Sequence, residues 1–503
     1  MRRFLAILAL APALVGCDLV LGLGEFGPAE TSPTGGVGGT GGAGGTGGAG
    51  GGQGGAGGEA GGGGTGCPVS WARALVGATE NDEASLAAVA IDPTDGAVVA
   101  AGTFAGTVNL GGSSHTAIGA RDLFLTKHTD AGQLVWERPF GGGDSGLAKR
   151  SKDLLVHASG DIIWFGDYQG ELSLGGANLP TPGVKRANFI AEFTPSLEHV
   201  WSEGYTSTST IVAKSIVASG TAGYVITGHV AGPFDFGDGP PPHAGAADIY
   251  VQSLSAVGEH QWAVQFGGPG EDESWSLARE PDGNLWVGGR CGQAVDILGH
   301  TASTGGGGGD ACLIKLTASG GYLWHGVWGD GQMQEVTAVA VSSNGIVIAG
   351  SFFGTMTFPG LPPLVAGQAR SLYVAKLSLD GDPLWAESIA CDGMCLAGDL
   401  ALDNADNVLL AASFGGTITL GTEPVAAAGS ADSLVLWLEA TSGDYRRHYA
   451  SGWDGSDRAF SLAIDESGRV AVGGDFDGTT SLCSGDTLNA EEAKGAYLLR
   501  LGL

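Results

Sequence analysis

Asp310-Ala-Cys-Leu-Ile-Lys-Leu-Thr-Ala-Ser-Gly320-Gly-Tyr-Leu-Trp324 is an apolar run, a glycine turn and a second run that closes on tryptophan. The phrase recurs. Trp71, Trp136, Trp201, Trp262, Trp324 and Trp385 end similar stretches at spacings of 65, 65, 61, 62 and 61 residues. A fixed period of this length marks one supersecondary unit copied along a solenoid or around a ring.

The unit between Trp71 and Trp136 shows what is copied. Ser85-Leu-Ala-Ala-Val-Ala-Ile91 meets a turn at Asp92-Pro-Thr-Asp-Gly96, and Ala97-Val-Val-Ala-Ala-Gly-Thr-Phe104 follows. Asp122-Leu-Phe-Leu-Thr-Lys127 then turns at Asp130-Ala-Gly132 into Leu134-Val-Trp136. Short apolar and β-branched runs bounded by Gly, Asp and Asn turns read as strands. Beyond the extreme N-terminus no stretch holds a 3.6-residue apolar period, so the expected class is all-β. Four strands per unit suit a propeller blade.

The first three strands of the unit recur seven times, from near Ser85, Ser151, Ser215, Ser276, Thr337, Asp399 and Ser461. The Trp strand is out of phase: Val69-Ser-Trp71 precedes every set, and Ala496-Tyr-Leu-Leu-Arg-Leu501 ends the chain without one. In the seventh copy Arg447 replaces the tryptophan. The expectation is a seven-bladed β-propeller of four-stranded blades over residues 67–503, closed by the N-terminal strand. Closure of that kind removes free sheet edges.

The same residues resemble the bacterial seven-bladed β-propeller repeat family found in exported lipoproteins. Gly102-Thr-Phe104, Gly106-Thr-Val108, Asp122-Leu-Phe124 and Lys127 carry the resemblance in the first unit. Gly350-Ser-Phe352, Gly354-Thr355, Lys376-Leu377, Gly381 and Trp385 carry it in the fifth. These motifs are structural, so the resemblance implies a fold and no reaction. Quinoprotein propellers similar to alcohol dehydrogenases share the layout but place an adjacent Cys-Cys pair near the cofactor, and this chain has no such dipeptide.

Met1-Arg-Arg3 and the apolar run Phe4 to Val15 read as a secretion signal, too short to span a bilayer. The signal ends Leu14-Val-Gly-Cys17, which resembles a lipobox, so residues 1–16 are expected to be removed and Cys17 to carry acyl chains such as palmitate. Two or more chains would hold the protein to a membrane. Residues 35–66 hold 22 glycines in 32 positions. Residues 17–66 therefore read as a disordered tether, with an r.m.s. reach of roughly 40 Å. Gly36, Gly38 and Gly41 match a nucleotide-loop pattern by composition alone, with no strand before them and no helix after. The expected location is the bacterial cell envelope, facing periplasm or exterior. Without Arg2 and Arg3 the chain keeps 21 of its 23 basic residues against 53 acidic ones. A surface of that sign repels nucleic acid and leaves the lipid anchor as its route to the membrane.

Six further cysteines allow 15 pairings. Cys291 falls in the column of Phe104, Tyr168, Phe352, Phe414 and Phe476, and Cys312 in that of Phe124, Phe189, Tyr250, Tyr373 and Tyr497. Antiparallel pairing brings these columns together, so a disulfide is expected in place of an aromatic contact. Cys391 and Cys395 are expected to close a local loop. Cys67 and Cys483 remain, both in the seventh blade, where a bond would lock the closure.

No catalytic constellation is legible. The ten histidines are scattered without metal-ligand spacing, and no nucleophile elbow occurs. Acidic turns at Asn81-Asp-Glu83, Glu271-Asp-Glu273 and Asp454-Gly-Ser-Asp457 read as solvated turns, with Ca²⁺ left open; no other cofactor is expected. Lys149, Lys152 and Lys214, with Arg150, begin first strands of units two and three and read either as ordinary charge pairs with neighbouring acidic loops or as a basic mouth for an anionic ligand. Trp275 enters the same region and could stack a sugar. The innermost column reads Ala88, Asp153, Ser215, Ser276, Ala338, Asp399 and Ser461, small residues suited to close packing about an axis. The reading is therefore a lipid-anchored binding or scaffold module for a protein or glycan. The alternative is an exported propeller enzyme, quinoprotein dehydrogenase-like or a glycan-active lyase or hydrolase.

Overall fold

The computed structural model describes residues 67–502 apart from 144–145, 221–222, 238, 240 and 343. The signal, Cys17 and the Gly-rich tract lie outside the described residues. Every regular element among the described residues is a strand. Glu83–Ile91, Val98–Ala105, Asp122–His128 and Leu134–Phe140 pair antiparallel in that order. The pattern repeats through the set that begins with Lys149–Val156 and those that begin with Ile211–Ala218, Glu273–Arg279, Ala338–Ser342 and Cys395–Leu402. A last set holds Arg458–Ile464, Val470–Ser481 and Thr487–Leu501. Its fourth place is taken by Val69–Gly77 from the other end of the sequence, with Ala72 opposite Leu499 and Leu75 opposite Ala496.

The burial pattern follows from position in the set. Second and third strands such as Ile162–Tyr168 and Asp248–Leu254 are buried on both faces and therefore read as unbroken apolar runs. Fourth strands expose the residue before the tryptophan, as at Val135, Val200, Leu323 and Leu384. Hydrophobic clusters form between sets rather than within one. A single cluster joins Val99 and Leu125 of the first set to Trp164, Phe189 and Phe193 of the second.

The repeated phrase acts between neighbouring sets. Each turn glycine has a left-handed backbone (φ 77° at Gly132, 80° at Gly258, 81° at Gly320, 90° at Gly381, 77° at Gly443). Each presses on the tryptophan of the preceding set. A Cβ at Gly132 would stand 2.6 Å from Trp71, one at Gly258 2.6 Å from Trp201, and one at Gly320 2.9 Å from Trp262. Gly381 meets Trp324 and Gly443 meets Trp385 in the same way. The position thus needs glycine twice, for the φ and for the absent side chain. In the second set Leu197 takes the left-handed place (φ 64°), and Trp136 donates its indole N–H to the Pro195 carbonyl at 3.1 Å.

This contact explains the odd seventh copy. The turn that would face residue 447 belongs between the third and fourth strands of the last set, and those two, Thr487–Leu501 and Val69–Gly77, pair without being consecutive in sequence. With no turn to receive it, a tryptophan has no partner. Arg447 lies over Trp437 of its own set, 4.6 Å from the ring centroid.

Two alanine substitutions separate backbone strain from the tryptophan contact. Gly360 has φ 83° and open space within 4 Å of where a Cβ would stand, whereas Gly381 has φ 90° with the Trp324 ring beneath it. Gly360→Ala should cost about 1 kcal/mol from backbone strain, and Gly381→Ala a further 1–3 kcal/mol or so from overpacking. Denaturant unfolding of both variants measures the difference, and equal losses would remove the tryptophan contact as the constraint.

Candidate functional site

The first strands of the sets carry the most ordered polar chemistry. Five of them have a one-residue irregularity at the same place, between Leu86 and Ala88, Ser151 and Asp153, Ala213 and Ser215, Ser274 and Ser276, and Ala459 and Ser461. A bulge of this kind strips a backbone N–H of its ladder partner. The next residue supplies the repair across sets. Asp153 Oδ2 accepts the Ile216 N–H at 2.8 Å, Ser276 Oγ that of Val339 at 3.1 Å and Asp399 Oδ2 that of Leu462 at 3.0 Å. Ser461 Oγ accepts the Val89 N–H at 3.1 Å, tying the last set to the first.

Ala88 and Ala338 cannot make this bond, and each is followed one set later by an aspartate. Asp153 Oδ1 takes the Leu154 N–H and Asp399 Oδ1 the Leu400 N–H, both at 2.8 Å, leaving Oδ2 for the next set. A carboxylate has the two acceptor oxygens needed to cap backbone donors from adjacent sets. Burial pushes both acids up to about 6, and the charge of Asp153 adds to the effect on Asp399.

A carboxyl raised above its unfolded value binds more protons when folded, so these two contribute stability that is lost as pH rises from about 4 to about 6. Asp153→Asn and Asp399→Asn each lose one acceptor and should be destabilised, but less at about pH 7 than at about pH 4, because the variant has no ionisation to oppose. Urea unfolding at both pH values checks the sign, and a loss that grows with pH would contradict it.

The residues at the bulge column are Ala87, Lys152, Lys214, Trp275, Thr337, Gly398 and Phe460. Lys152, Lys214, Trp275 and Phe460 give it the largest side chains, whereas the column after it is small or acidic throughout. Lys152, Lys214 and Trp275 are half-buried, and Lys214 Nζ stands 4.4 Å from the Trp275 ring centroid. Lys149, grouped with them by sequence, is not part of this arrangement. Its side chain is fully buried with Nζ 3.0 Å from Asp122 Oδ1, because it sits three residues earlier and turns between sets.

Second-strand residues that the sequence reading missed complete the cluster. Asp167, His229 and Arg290 occupy one column, each just before the aromatic position of its set, and all are buried. A charged residue at that buried column was the available signal. Arg290 pairs with Glu273 Oε2 at 3.2 Å, Arg370 pairs with Glu335, and Arg150 approaches Asp167 at 3.9 Å. Burial pushes Lys152 down to about 8, with Asp167 opposing and the charges of Lys214, Arg150 and Arg186 assisting. Burial also lowers Lys214, against Glu273, Asp167 and Glu335. His229 is driven well below the ordinary imidazole range by burial and then by Lys214 and Lys152, so it is neutral. Burial raises Glu335, opposed by Arg370 and Arg290.

The acidic turns serve their own loops. Asp82 accepts the N–H groups of Ala78, Thr79 and Thr107 at 3.1, 2.9 and 2.7 Å, and Asp272 those of Gly268 and Gly292 at 2.7 Å each. No group of three or more His, Cys, Asp or Glu side chains placed to hold a metal ion occurs among the described residues. Two shallow surface clefts, one beside Asp82 and Thr107 and one beside Asp454 and Asp477, lie away from the basic cluster.

Three disulfides are present. Cys291–Cys312 crosses the second and third strands of its set, where Phe104–Phe124, Tyr168–Phe189 and Phe352–Tyr373 stand 6.3, 6.4 and 5.9 Å apart in others. Cys391–Cys395 closes a local loop. Cys67–Cys483 joins the start of the N-terminal strand to the connection between the last two strands, across 416 residues.

No protein-family model matches the chain. The chain is similar to the regulatory protein FlaEY of Caulobacter vibrioides, 25% identical over 269 residues, which span 49% of this chain and 27% of that protein. Among solved structures it is similar to the Pan2 WD40 domain of Neurospora crassa, at 10% identity and a TM-score of 0.40 over 83% of this chain and 89% of that one. The Cps50 (Swd1) β-propeller domain of Myceliophteria thermophila is similar at 7% identity and a TM-score of 0.39, over 85% of this chain and 99% of that one.

Proposed function

We propose that this chain is a lipid-anchored module of the bacterial cell envelope, a seven-bladed ring closed by its N-terminal strand, which binds or scaffolds a partner rather than transforming it. The carrying observation is how the carboxylates in the basic cluster are used. Glu335 is paired with Arg370 and Glu273 with Arg290, and Asp167 faces Arg150. A general acid or base needs an accessible lone pair near the operating pH. Pairing of this kind engages Glu273 and Glu335, while buried Asp167 accepts no hydrogen bond, and cations and an indole are left to do recognition. Similarity to a protein described as regulatory is in keeping with that role.

Support for the ring comes from both ends of the chain. Trp71 presses on Gly132 and donates its indole N–H to the Asp130 carbonyl at 2.8 Å. Arg500 reaches the same aspartate, with its guanidinium 3.1 Å from Asp130 Oδ1. The anchor rests on Leu14 to Cys17, and the Gly-rich tract would hold the ring clear of lipid headgroups.

Anchoring is tested by Cys17→Ser in the full chain. Lipid labelling should vanish and the protein should leave the membrane fraction; retention with labelling intact would sink the assignment. Ring closure is tested by two deletions. Removing residues 67–77 takes Trp71 and one edge strand from the last set, a loss of roughly 3–5 kcal/mol from the indole alone, so the domain should melt early and self-associate. Removing residues 35–64 should leave the melt unchanged. Similar melts and monomeric scattering for both would show that the N-terminal strand does not close the ring.

A further inference from the structure

We propose that Lys152, Lys214 and Trp275 form a binding site for an oxyanion, the carboxylate or phosphate group of a small ligand that enters at the starts of the first strands. The inference rests on the binding-module reading above and adds the ligand chemistry.

The charge balance is the first observation. The chain carries 53 acidic and 23 basic residues, yet six cations meet four carboxylates here. The cations are Arg150, Lys152, Arg186, Lys214, Arg290 and Arg370; the carboxylates are Asp167, Glu271, Glu273 and Glu335. Arginines hold the carboxylates. Among the described residues no carboxylate lies within ion-pair distance of the ammonium of Lys152 or Lys214, although both side chains are half-buried and near enough to repel each other. Two close, partly desolvated ammonium groups without counter-ions are a standing cost that a bound anion would offset.

Unused donors are the second observation. The Trp275 indole N–H is buried and has no acceptor, and the ring carrying it lies under Lys214 Nζ. A buried donor without an acceptor costs about 1–3 kcal/mol, so native structures seldom leave one idle. Indole and ammonium donors grouped together suit an oxygen anion, and none of them can accept a hydrogen bond from a cation.

The test uses the full chain in detergent. Inorganic phosphate and, separately, citrate are titrated by calorimetry against chloride at equal ionic strength, since simple screening would act alike for all three. In parallel, lysine acetylation is read by peptide mass spectrometry with and without each anion. The expected result is saturable binding of at least one anion, with acetylation of Lys152 and Lys214 suppressed several-fold and that of exposed Lys185 unchanged. Phosphate and citrate distinguish the two headgroups. Lys152→Gln and Lys214→Gln should each weaken binding at least tenfold, and Lys152→Arg should restore most of it. The footprint needs no variant, so it stands even where a substitution prevents folding. No saturable binding of either anion, or equal suppression at Lys185, would overturn the site while leaving the anchoring result untouched.

Discussion

The structure depends on a tryptophan lying against a turn with no side chain. One set of four strands has two apolar faces and cannot bury both alone. The indole of its outer strand reaches across to the left-handed glycine of the next set and covers the seam between them. A buried tryptophan removes on the order of 150–250 Å² from water. The glycine gives up backbone entropy to allow the approach, and an alanine there would meet the ring before it met its neighbour. The interaction is directional, each set gripping the next, so the set that faces third and fourth strands not joined by a turn lacks its tryptophan. Arg447 marks that seam. Its replacement is less a decayed repeat than the place where the lock has no keyhole.

A second constraint acts at the inner ends of the same sets. Bulges on the first strands let the sheets twist and crowd together, and each leaves a backbone donor to be satisfied from outside its own ladder. Serine suffices where every neighbour contributes one acceptor. Where alanine interrupts the series, the following residue is aspartate, which caps its own strand and the next one. The alternation of Ala88 with Asp153 and of Ala338 with Asp399 is thus a single matching of acceptors to donors. Two acids are buried in consequence, and burial holds their carboxyls near 6. Acidity at these positions follows from backbone geometry rather than from any chemistry with a ligand.

How much of this could be read in the sequence depended on whether a residue acts within its own strand or across a seam. The tryptophan period and the Gly-Phe and Asp-Phe columns are local repeats, so strand order and the pairing of Cys291 with Cys312 were legible from alignment of the chain with itself. The displaced phase of Trp71 likewise pointed to the pairing of Val69–Gly77 with Thr487–Leu501. A bulge is not local in that sense. It is silent in an apolar pattern, and a one-residue slip moves a side chain to another face. Lys152, Lys214 and Trp275 were legible as one group because they fall at the same place in successive units, whereas the bulge that separates them from the small column Ala88 to Ser461 was not. The same slip joined Lys149 to them, although its charge is matched by Asp122. His229, Arg290 and Asp167 lay in a column that periodicity marks as buried, and a charged residue at a buried column was the clue that went unused.

That clue also bears on why the cluster exists. Several buried cations in this molecule meet carboxylates directly: Lys127 with Asp92 and Asp95, Lys149 with Asp122, and Arg458 with Asp475, which Lys494 also reaches. Each sets a cation against an anion on adjoining strands or turns, as expected where burial demands neutrality. The first-strand cluster departs from that rule on one side only. Its carboxylates are held by arginines and its two lysines are left without one, in a chain with acidic residues to spare. A fold that needed only stability could have matched them with one further carboxylate, as it does elsewhere. Leaving them unmatched, with the Trp275 indole beside Lys214, is the arrangement a site for an external anion requires.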